Sequence, residues 1–161
     1  MAKEKKLKTN AMRILDSEKI DYEMLSYESE DGKVDGISVA HKIGVDKKYV
    51  FKTLVAQGTS KELYVFVIPV ADELDLKKAA KISGEKKIEM IAVKDIMKCT
   101  GYIRGGCSPI GMKKHYKTFI DESAKELEFM IFSAGKIGHQ IKLNPSDLLT
   151  VVSGKFENLI K

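Results

Sequence analysis

The sequence predicts an α/β fold, in which a single domain holds a mixed, twisted β-sheet wrapped by helices. The chain has 161 residues, of which 43% are hydrophobic and 32% charged, and this is typical of one globular domain. Helix and strand patterns alternate along it. The segment LYVFVIPV, residues 63–70, is almost wholly apolar, which is typical of a strand covered on both faces by helices. We therefore expect residues 1–161 to form one domain.

The first elements are a helix, a strand and a loop. Thr9 or Asn10 can cap a helix that presents an apolar face and ends before Ile20. The segment DYEMLSY, residues 21–27, has the composition of a strand. The acidic, glycine-containing segment ESEDGKVDG, residues 28–36, then predicts a loop.

Two short helical pieces and a pair of strands come next. Ser38 begins a helix that ends at Ile43, where Gly44 can close it. Asp46 caps a further turn in DKKYVF. Two strands separated by the turn QGTSKE follow, at residues 53–56 and 63–70.

The C-terminal half continues the alternation. A helix from Leu74 to Ile82 ends near Gly84, and Asn144 with Pro145 provides the N-cap and first-turn proline of a last helix, SDLLTVV. Between them the patterns predict one helix, at residues 93–98, and four strands, at residues 87–91, 117–120, 127–132 and 140–143.

The positive charge is concentrated in two windows, although the net charge is only +5. No carboxylate lies between Asp95 and Asp121, and residues 129–146 are also free of acids. The cations in these windows are Lys98, Arg104, Lys113, Lys114, Lys117, Lys136 and Lys142. Such windows suit the phosphates of a polyanion, and a solvated lysine-rich surface would have the same composition.

Several classes of protein are excluded by what the sequence lacks. The N-terminus has no apolar run or cleavage site of a signal peptide, and no segment is long enough to span a bilayer, so we expect a cytoplasmic protein without membrane contact. The two cysteines and three scattered histidines do not make a zinc site, and we expect no metal. No nucleophile elbow, Walker loop or dinucleotide fingerprint is present, and we expect no cofactor.

Three unusual segments remain, each at the edge of a predicted strand: FKTL, residues 51–54; GGCSP, residues 105–109; and SAGKIGHQI, residues 133–141. Sites in α/β proteins collect in such positions. Lys52 can point into a cleft or snorkel to water. Gly105 and Gly106 can expose backbone N–H groups to a ligand or form a wide turn. Ser133 can donate its hydroxyl or its amide, although serines at strand ends are common.

Together these segments resemble the YbaK/EbsC family of single-domain editing proteins, the Cys-tRNA(Pro)/Cys-tRNA(Cys) deacylases related to the editing insertion of bacterial prolyl-tRNA synthetase. Five segments in family order carry the resemblance: TNAMRIL, VFKTLV, PVADELDLKKAAK, TGYIRGGCSPIGMKK and SAGKIGHQIKLNPSDL. The resemblance implies the fold of that family and an enzyme that cleaves the ester between cysteine and the tRNA terminal ribose. It implies aminoacyl-tRNA as the partner, with prolyl-tRNA synthetase as a second candidate.

The resemblance also implies site residues. Lys52 is similar to a family lysine that holds the tRNA end and the substrate, and the amides of Gly105 and Gly106 are expected to face the ester carbonyl. Ser133 resembles a serine beside the aminoacyl group. The expected substrate-binding residues are Tyr27, Thr53, Pro109 and Gln140, and Gln140 departs from the aspartate that some members have at its position.

No Cys/His or Ser/His pair is evident, so the protein lacks an activated nucleophile of its own. Family precedent implies that the substrate's cysteine thiol attacks its own ester and leaves as a cyclic thiolactone. Three alternatives stay open. Cys107 can act as the nucleophile with its thiol pKa lowered by Arg104 and Lys113. The enzyme can edit alanine or serine instead, and the protein can be a binding module for aminoacyl-tRNA or a synthetase without turnover.

Overall fold

The computed structural model describes residues 8–161 of the chain. The α-helices are α1 (Asn10–Ser17), α2 (Gly36–Ile43), α3 (Leu76–Ser83), α4 (Val93–Thr100) and α5 (Pro145–Val151). The strands are β1 (Glu23–Ser26), β2 (Phe51–Gly58), β3 (Leu63–Pro69), β4 (Ile88–Met90), β5 (Lys117–Asp121), β6 (Met130–Ser133), β7 (His139–Leu143) and β8 (Lys155–Glu157). Two 3₁₀ turns cover Lys47–Tyr49 and Glu122–Glu126.

The strands divide into two sheets. The larger has the order β4-β2-β3-β5-β8, and it is mixed because β3–β5 and β5–β8 pair in parallel while β2 pairs antiparallel with β3 and β4. The smaller sheet, β1-β7-β6, is antiparallel. A single parallel bridge between Val50 and Ile131 joins the start of β2 to β6. The predicted mixed α/β fold is confirmed. The sequence predicted one sheet, and the structure divides the strands into two.

Strand β3 runs through the centre of the protein. Every residue from Tyr64 to Pro69 is buried, which confirms the covering of both faces that its apolar sequence predicts. Side chains alternate between the faces of a strand. Accordingly, Val65 and Val67 belong to a hydrophobic cluster with α1 and α5, whereas Phe66 and Ile68 belong to a second cluster with α3.

The local cap signals set most helix boundaries. The Thr9 hydroxyl accepts from the Met12 N–H at the start of α1, and Asn144 caps α5 ahead of Pro145, as expected. The start of α2 is a correction, because Asp35 is its N-cap and Ser38 lies inside the first turn. Strand β8 and the 3₁₀ turn at Glu122–Glu126 are also absent from the sequence-based prediction.

No helix within residues 8–161 is long and apolar enough to cross a membrane. The prediction that the N-terminus is not a signal peptide also concerns residues 1–7, which lie outside the described residues.

Candidate functional site

A cleft of about 500 Å³ opens between β2, the start of α2, the glycine loop at residues 101–111 and the ends of β6 and β7. Several predicted site residues line it together: Lys52, Thr53, Gly105, Ser133 and Gln140. They come from three separate segments of the chain. The fold therefore brings the three unusual sequence segments to one place.

The cleft lies along an open edge of β2. The Val70 N–H donates to the Val50 carbonyl, and hydrogen-bonding direction alternates along an antiparallel strand. Lys52 and Leu54 therefore bond towards β3, while the backbone of Thr53 points to the opposite edge. Along that edge strand β4 pairs with residues 56–58, the Ile91 N–H donates to the Val55 carbonyl, and the bridge to Ile131 lies at Val50. Thr53 lies between these contacts and lines the cleft, and its Oγ1 is buried without a hydrogen-bond partner among the described residues.

Lys52 is half-buried beside this edge and pairs in register with Ile68. Within residues 8–161 its ammonium forms neither an ion pair nor a hydrogen bond. An ammonium with no protein acceptor, in a cleft, is available to an oxygen of a ligand.

Ser133 and Gln140 are paired neighbours on β6 and β7, so their side chains project from the same face of the small sheet. The Ser133 Oγ accepts from the Gly135 N–H at 3.1 Å, which leaves the hydroxyl proton free to be donated. Gln140 is only 5% exposed, yet its carboxamide has no hydrogen-bond partner in residues 8–161. Both side chains thus offer polar atoms to an occupant of the cleft.

The two glycines of the loop have different roles. Gly105 is exposed with φ +86°, and its N–H meets no acceptor within the described residues. The Gly106 N–H donates to the Ile103 carbonyl at 3.0 Å. A Cβ on Gly106 would lie 3.2 Å from the Ile137 backbone nitrogen, so this glycine permits close packing against the loop after β6. The expectation that both amides face a ligand is corrected: the Gly106 N–H is already occupied, and Gly105 is the available donor.

Pro109 and Tyr27 are not part of the cleft lining. Pro109 is buried and borders a separate cavity of about 150 Å³ next to Ile110. Tyr27 donates its N–H to the Gly138 carbonyl at 2.9 Å, and its hydroxyl is buried without a partner in the described part of the chain. Pro109 is itself part of the glycine loop, and Tyr27 is hydrogen-bonded to the loop between β6 and β7, so both residues support loops that border the cleft.

The structure adds an aliphatic wall that the sequence did not predict. It is formed by Val34, Ile37, Val39 and Val70. A Cβ on Gly36 would overlap the Val70 side chain, so this glycine lets α2 approach the end of β3. The one feature of the sequence that could have indicated this wall is Gly36, at the end of the predicted loop. Arg104, predicted only as a member of a cationic window, lines the cleft as well.

The cleft holds no activated nucleophile among the described residues. Burial raises the pKa of the Cys107 thiol to about 11, so the group is protonated near neutral pH. None of the three histidines lines the cleft. The His139 Nδ1 lies 3.4 Å from the Ser26 Oγ, and burial lowers the pKa of this imidazole. In residues 8–161 no group of His, Cys, Asp and Glu side chains is placed to hold a metal ion.

Comparisons with known proteins agree with this geometry. The family model described as an aminoacyl-tRNA editing domain matches residues 34–151. A protein of Enterococcus faecalis, whose provisional name is Cys-tRNA(Pro)/Cys-tRNA(Cys) deacylase EbsC, is 46% identical over 160 residues, covering 99% of this chain and 98% of its own length. A solved structure described as a candidate trans-editing enzyme for prolyl tRNA synthetase superposes with a TM-score of 0.81 at 19% identity, over 97% of this chain and 99% of that one. A solved structure of a hypothetical protein superposes with a TM-score of 0.87 at 15% identity, over 95% of this chain and 100% of that one.

Proposed function

The chain belongs to the aminoacyl-tRNA editing domain family, and from this premise we propose that it is a trans-editing deacylase for Cys-tRNA(Pro) and Cys-tRNA(Cys). The observation that carries the proposal is the convergence of Lys52, Gly105 and Ser133 on one cleft without a nucleophile–base pair. Such a cleft can orient and polarise an ester, and the attacking group must come from elsewhere.

The cysteinyl substrate supplies that group. Its sulfur forms a bond to the carbonyl carbon, the bond from that carbon to the ribose oxygen breaks, and the thiol proton ends on the ribose hydroxyl. The cysteinyl group leaves as a thiolactone that water later hydrolyses to cysteine. The enzyme's contribution is to hold sulfur near the carbonyl and to stabilise the developing oxyanion. Orientation of this kind contributes about 7 to 11 kcal/mol.

The donors for the oxyanion are the Gly105 N–H, the Ser133 hydroxyl and the Lys52 ammonium. Each lines the cleft and has a proton free of protein acceptors within the described residues. A preorganised donor contributes about 2.7 to 4 kcal/mol to such a transition state. Thr53 and Gln140 bind the remaining polar groups of the substrate, while Gly106, Pro109 and Tyr27 position the loops.

Cys107 is a weaker candidate for the nucleophile than the thiol of the substrate. A thiol with a pKa of about 11 is almost wholly protonated at neutral pH, and burial is the cause of the shift. The expectation that Arg104 and Lys113 lower this pKa is therefore wrong. Cys107 serves the cleft as a small apolar lining group.

The tRNA itself lies on a basic strip, which we define as Lys98, Arg104, Lys113, Lys114 and Lys136. All five side chains are exposed, and within residues 8–161 none forms a salt bridge. Arg104 belongs both to the strip and to the cleft lining, and a Cβ on Gly106 would lie 3.5 Å from the backbone of Lys136, so the strip adjoins the cleft at the glycine loop. Such a surface suits tRNA phosphates. A prolyl-tRNA synthetase is the partner that would direct the enzyme to tRNA(Pro). An aminoacyl-tRNA substrate implies that the protein acts in the cytoplasm.

The test is a deacylation assay on cysteinyl, alanyl and prolyl forms of one tRNA(Pro). We expect the purified protein to release uncharged tRNA from Cys-tRNA(Pro) much faster than from Ala-tRNA(Pro), because alanine has no thiol, and to leave Pro-tRNA(Pro) intact. Faster release from Ala-tRNA(Pro) would favour an alanine-editing enzyme. Tight binding without release of tRNA would favour a binding module.

A further inference from the structure

The glycine loop supplies the Gly105 N–H to the cleft, yet it is built from residues that favour mobility. It contains Gly101, Gly105, Gly106 and Gly111, and all of these except Gly106 have a positive φ. Each glycine gives an open loop additional conformational freedom. A donor stabilises an oxyanion well only if it is fixed in place before the reaction. The fold must therefore hold this loop through contacts of its other residues.

Tyr102 closes the loop from inside. It is 8% exposed, and its hydroxyl donates to the Ile110 carbonyl at 2.5 Å, across eight positions of the chain. Gly105 lies in the segment that this hydrogen bond encloses. Ile110 is buried, and no other donor reaches its carbonyl within residues 8–161. Loss of the phenol hydroxyl would leave a carbonyl without a partner, which is costly in a buried position, and the loop would open to hydrate it.

The backbone of Tyr102 is anchored as well. The Thr100 Oγ1 accepts from the Tyr102 N–H at 3.0 Å and donates to the Ile96 carbonyl at 2.7 Å, inside α4. At the base of the loop the Lys113 N–H donates to the Thr100 carbonyl at 3.0 Å. Burial raises the pKa of Tyr102 to about 12, so the phenol keeps the proton that it donates. Tyr102 thus joins the end of a helix to the far arm of the loop.

The ring of Tyr102 contacts the second loop that borders the cleft. A Cβ on Gly135 would lie 2.7 Å from the Tyr102 Cε1, so the ring lies directly against a glycine whose φ is +99°. The Gly135 N–H in turn donates to the Ser133 Oγ at 3.1 Å. One side chain therefore contacts both of the loops that carry oxyanion donors.

We propose that Tyr102 is a positioning residue for these donors: its hydroxyl holds the Gly105 N–H in place, and its ring holds the turn that orients the Ser133 hydroxyl. The inference rests on the proposed function and adds to it the residue that preorganises the site. Tyr102 is not part of the cleft lining, so it acts through other residues and does not touch the substrate. Misplacement of a reacting group by about 1 Å costs about 10²-fold in rate.

The test is Tyr102→Phe, which removes the hydroxyl and keeps the ring on Gly135. With Cys-tRNA(Pro), kcat should fall about 10- to 100-fold while KM stays within about twofold, because the donors act on the transition state. Tyr116→Phe is the matched control, since the Tyr116 hydroxyl also donates to a backbone carbonyl, that of Cys99 at 2.7 Å, and lies outside the cleft. Its kcat should stay within about threefold of the unmodified protein. Equal kcat values in the two variants would overturn the proposal.

A double variant separates positioning from a general loss of stability. If the hydroxyl acts through the Gly105 N–H, adding Tyr102→Phe to Gly105→Ala should lower kcat by less than about twofold beyond Gly105→Ala alone. Two independent losses would multiply instead. That outcome would show that Tyr102 does not position Gly105.

Amide hydrogen exchange gives a readout that needs no tRNA. The Gly106 N–H donates to the Ile103 carbonyl at 3.0 Å inside the loop. Its exchange should be about tenfold faster in Tyr102→Phe and unchanged in Tyr116→Phe. An unchanged exchange rate in Tyr102→Phe would contradict the closure of the loop by Tyr102. If exchange responds as expected but the unmodified protein leaves Cys-tRNA(Pro) intact, the proposed deacylase fails and the closure of the loop stands.

Discussion

Replacing Gly105 with alanine tests whether its backbone N–H is a donor to the reacting ester. Gly105 has φ +86°, and an added Cβ would meet only ordinary van der Waals neighbours at 3.7 Å. The substitution is therefore sterically possible but strained, because the left-handed conformation costs a side-chain-bearing residue about 1 to 2 kcal/mol. The loop would relieve that strain by rotating the peptide, which turns the N–H away from the cleft.

Loss of one such donor lowers kcat by about 10² to 10³, equivalent to about 2.7 to 4 kcal/mol. Gly84→Ala provides the control, since Gly84 has φ +76°, nothing within 4 Å of an added Cβ, and a position at the end of α3 outside the cleft. Gly105→Ala should lose no more free energy of unfolding in urea than Gly84→Ala, because rotation of its peptide relieves part of the strain. In single-turnover release of tRNA from Cys-tRNA(Pro), only Gly105→Ala should be slow. Equal rates in the two variants would refute the donor role of Gly105.

Three other predictions concern the cleft and its surroundings. Lys52→Ala should lower the single-turnover rate on Cys-tRNA(Pro) by about 10² or more, while Lys81→Ala, at an exposed position of α3, should not. An unchanged rate in Lys52→Ala would remove the ammonium from the mechanism. Cys107→Ala should keep the deacylation rate within about threefold. Because burial raises the pKa of Cys107 to about 11, the unfolded chain loses the thiol proton at lower pH than the folded protein does. Between about pH 9 and 11 the free energy of unfolding of the unmodified protein should therefore fall by up to ~1.4 kcal/mol per pH unit more than that of the variant. Urea titrations at several pH values measure this, and parallel pH profiles would contradict the buried, protonated thiol. The double variant Lys113→Ala, Lys114→Ala should reduce the slope of log affinity for tRNA against log salt concentration by about 2. The control is the double variant Lys125→Ala, Lys155→Ala near the β8 edge of the large sheet, which should leave the slope unchanged. Equal slopes in the two double variants would place the tRNA elsewhere.

Local signals in the sequence were sufficient for most helices and for the central strand. Asn144 and Pro145 define the start of α5 because capping depends on neighbouring residues alone. The apolar run of β3 likewise predicts its own burial. Strand β8 was missed because it is short and polar, and it exists through parallel pairing with β5. The division into two sheets also depends on pairing between distant segments, which no local pattern contains.

The site was predictable to the extent that its residues are chemically unusual. Lys52 and the adjacent glycines are unusual features of the sequence, and Lys52 and Gly105 do reach one cleft with Ser133. The separate roles of Gly105 and Gly106 were not predictable, since they depend on whether each N–H meets a carbonyl of the loop. Ile37 gave no signal, because an isoleucine near the start of a helix is expected in a core, and only the fold shows it at the mouth of a cleft.

The central claim is that sulfur on the substrate, and no group of the protein, attacks the ester. Rapid quenching of the reaction with Cys-tRNA(Pro), followed by mass spectrometry of the released amino acid, tests it most directly, with Ser-tRNA(Pro) as the substrate that differs only in having oxygen for sulfur. We expect the first product to be the cyclic thiolactone of cysteine, and release from Ser-tRNA(Pro) to be far slower. Free cysteine as the first product, with Cys- and Ser-tRNA(Pro) cleaved at equal rates, would contradict the claim.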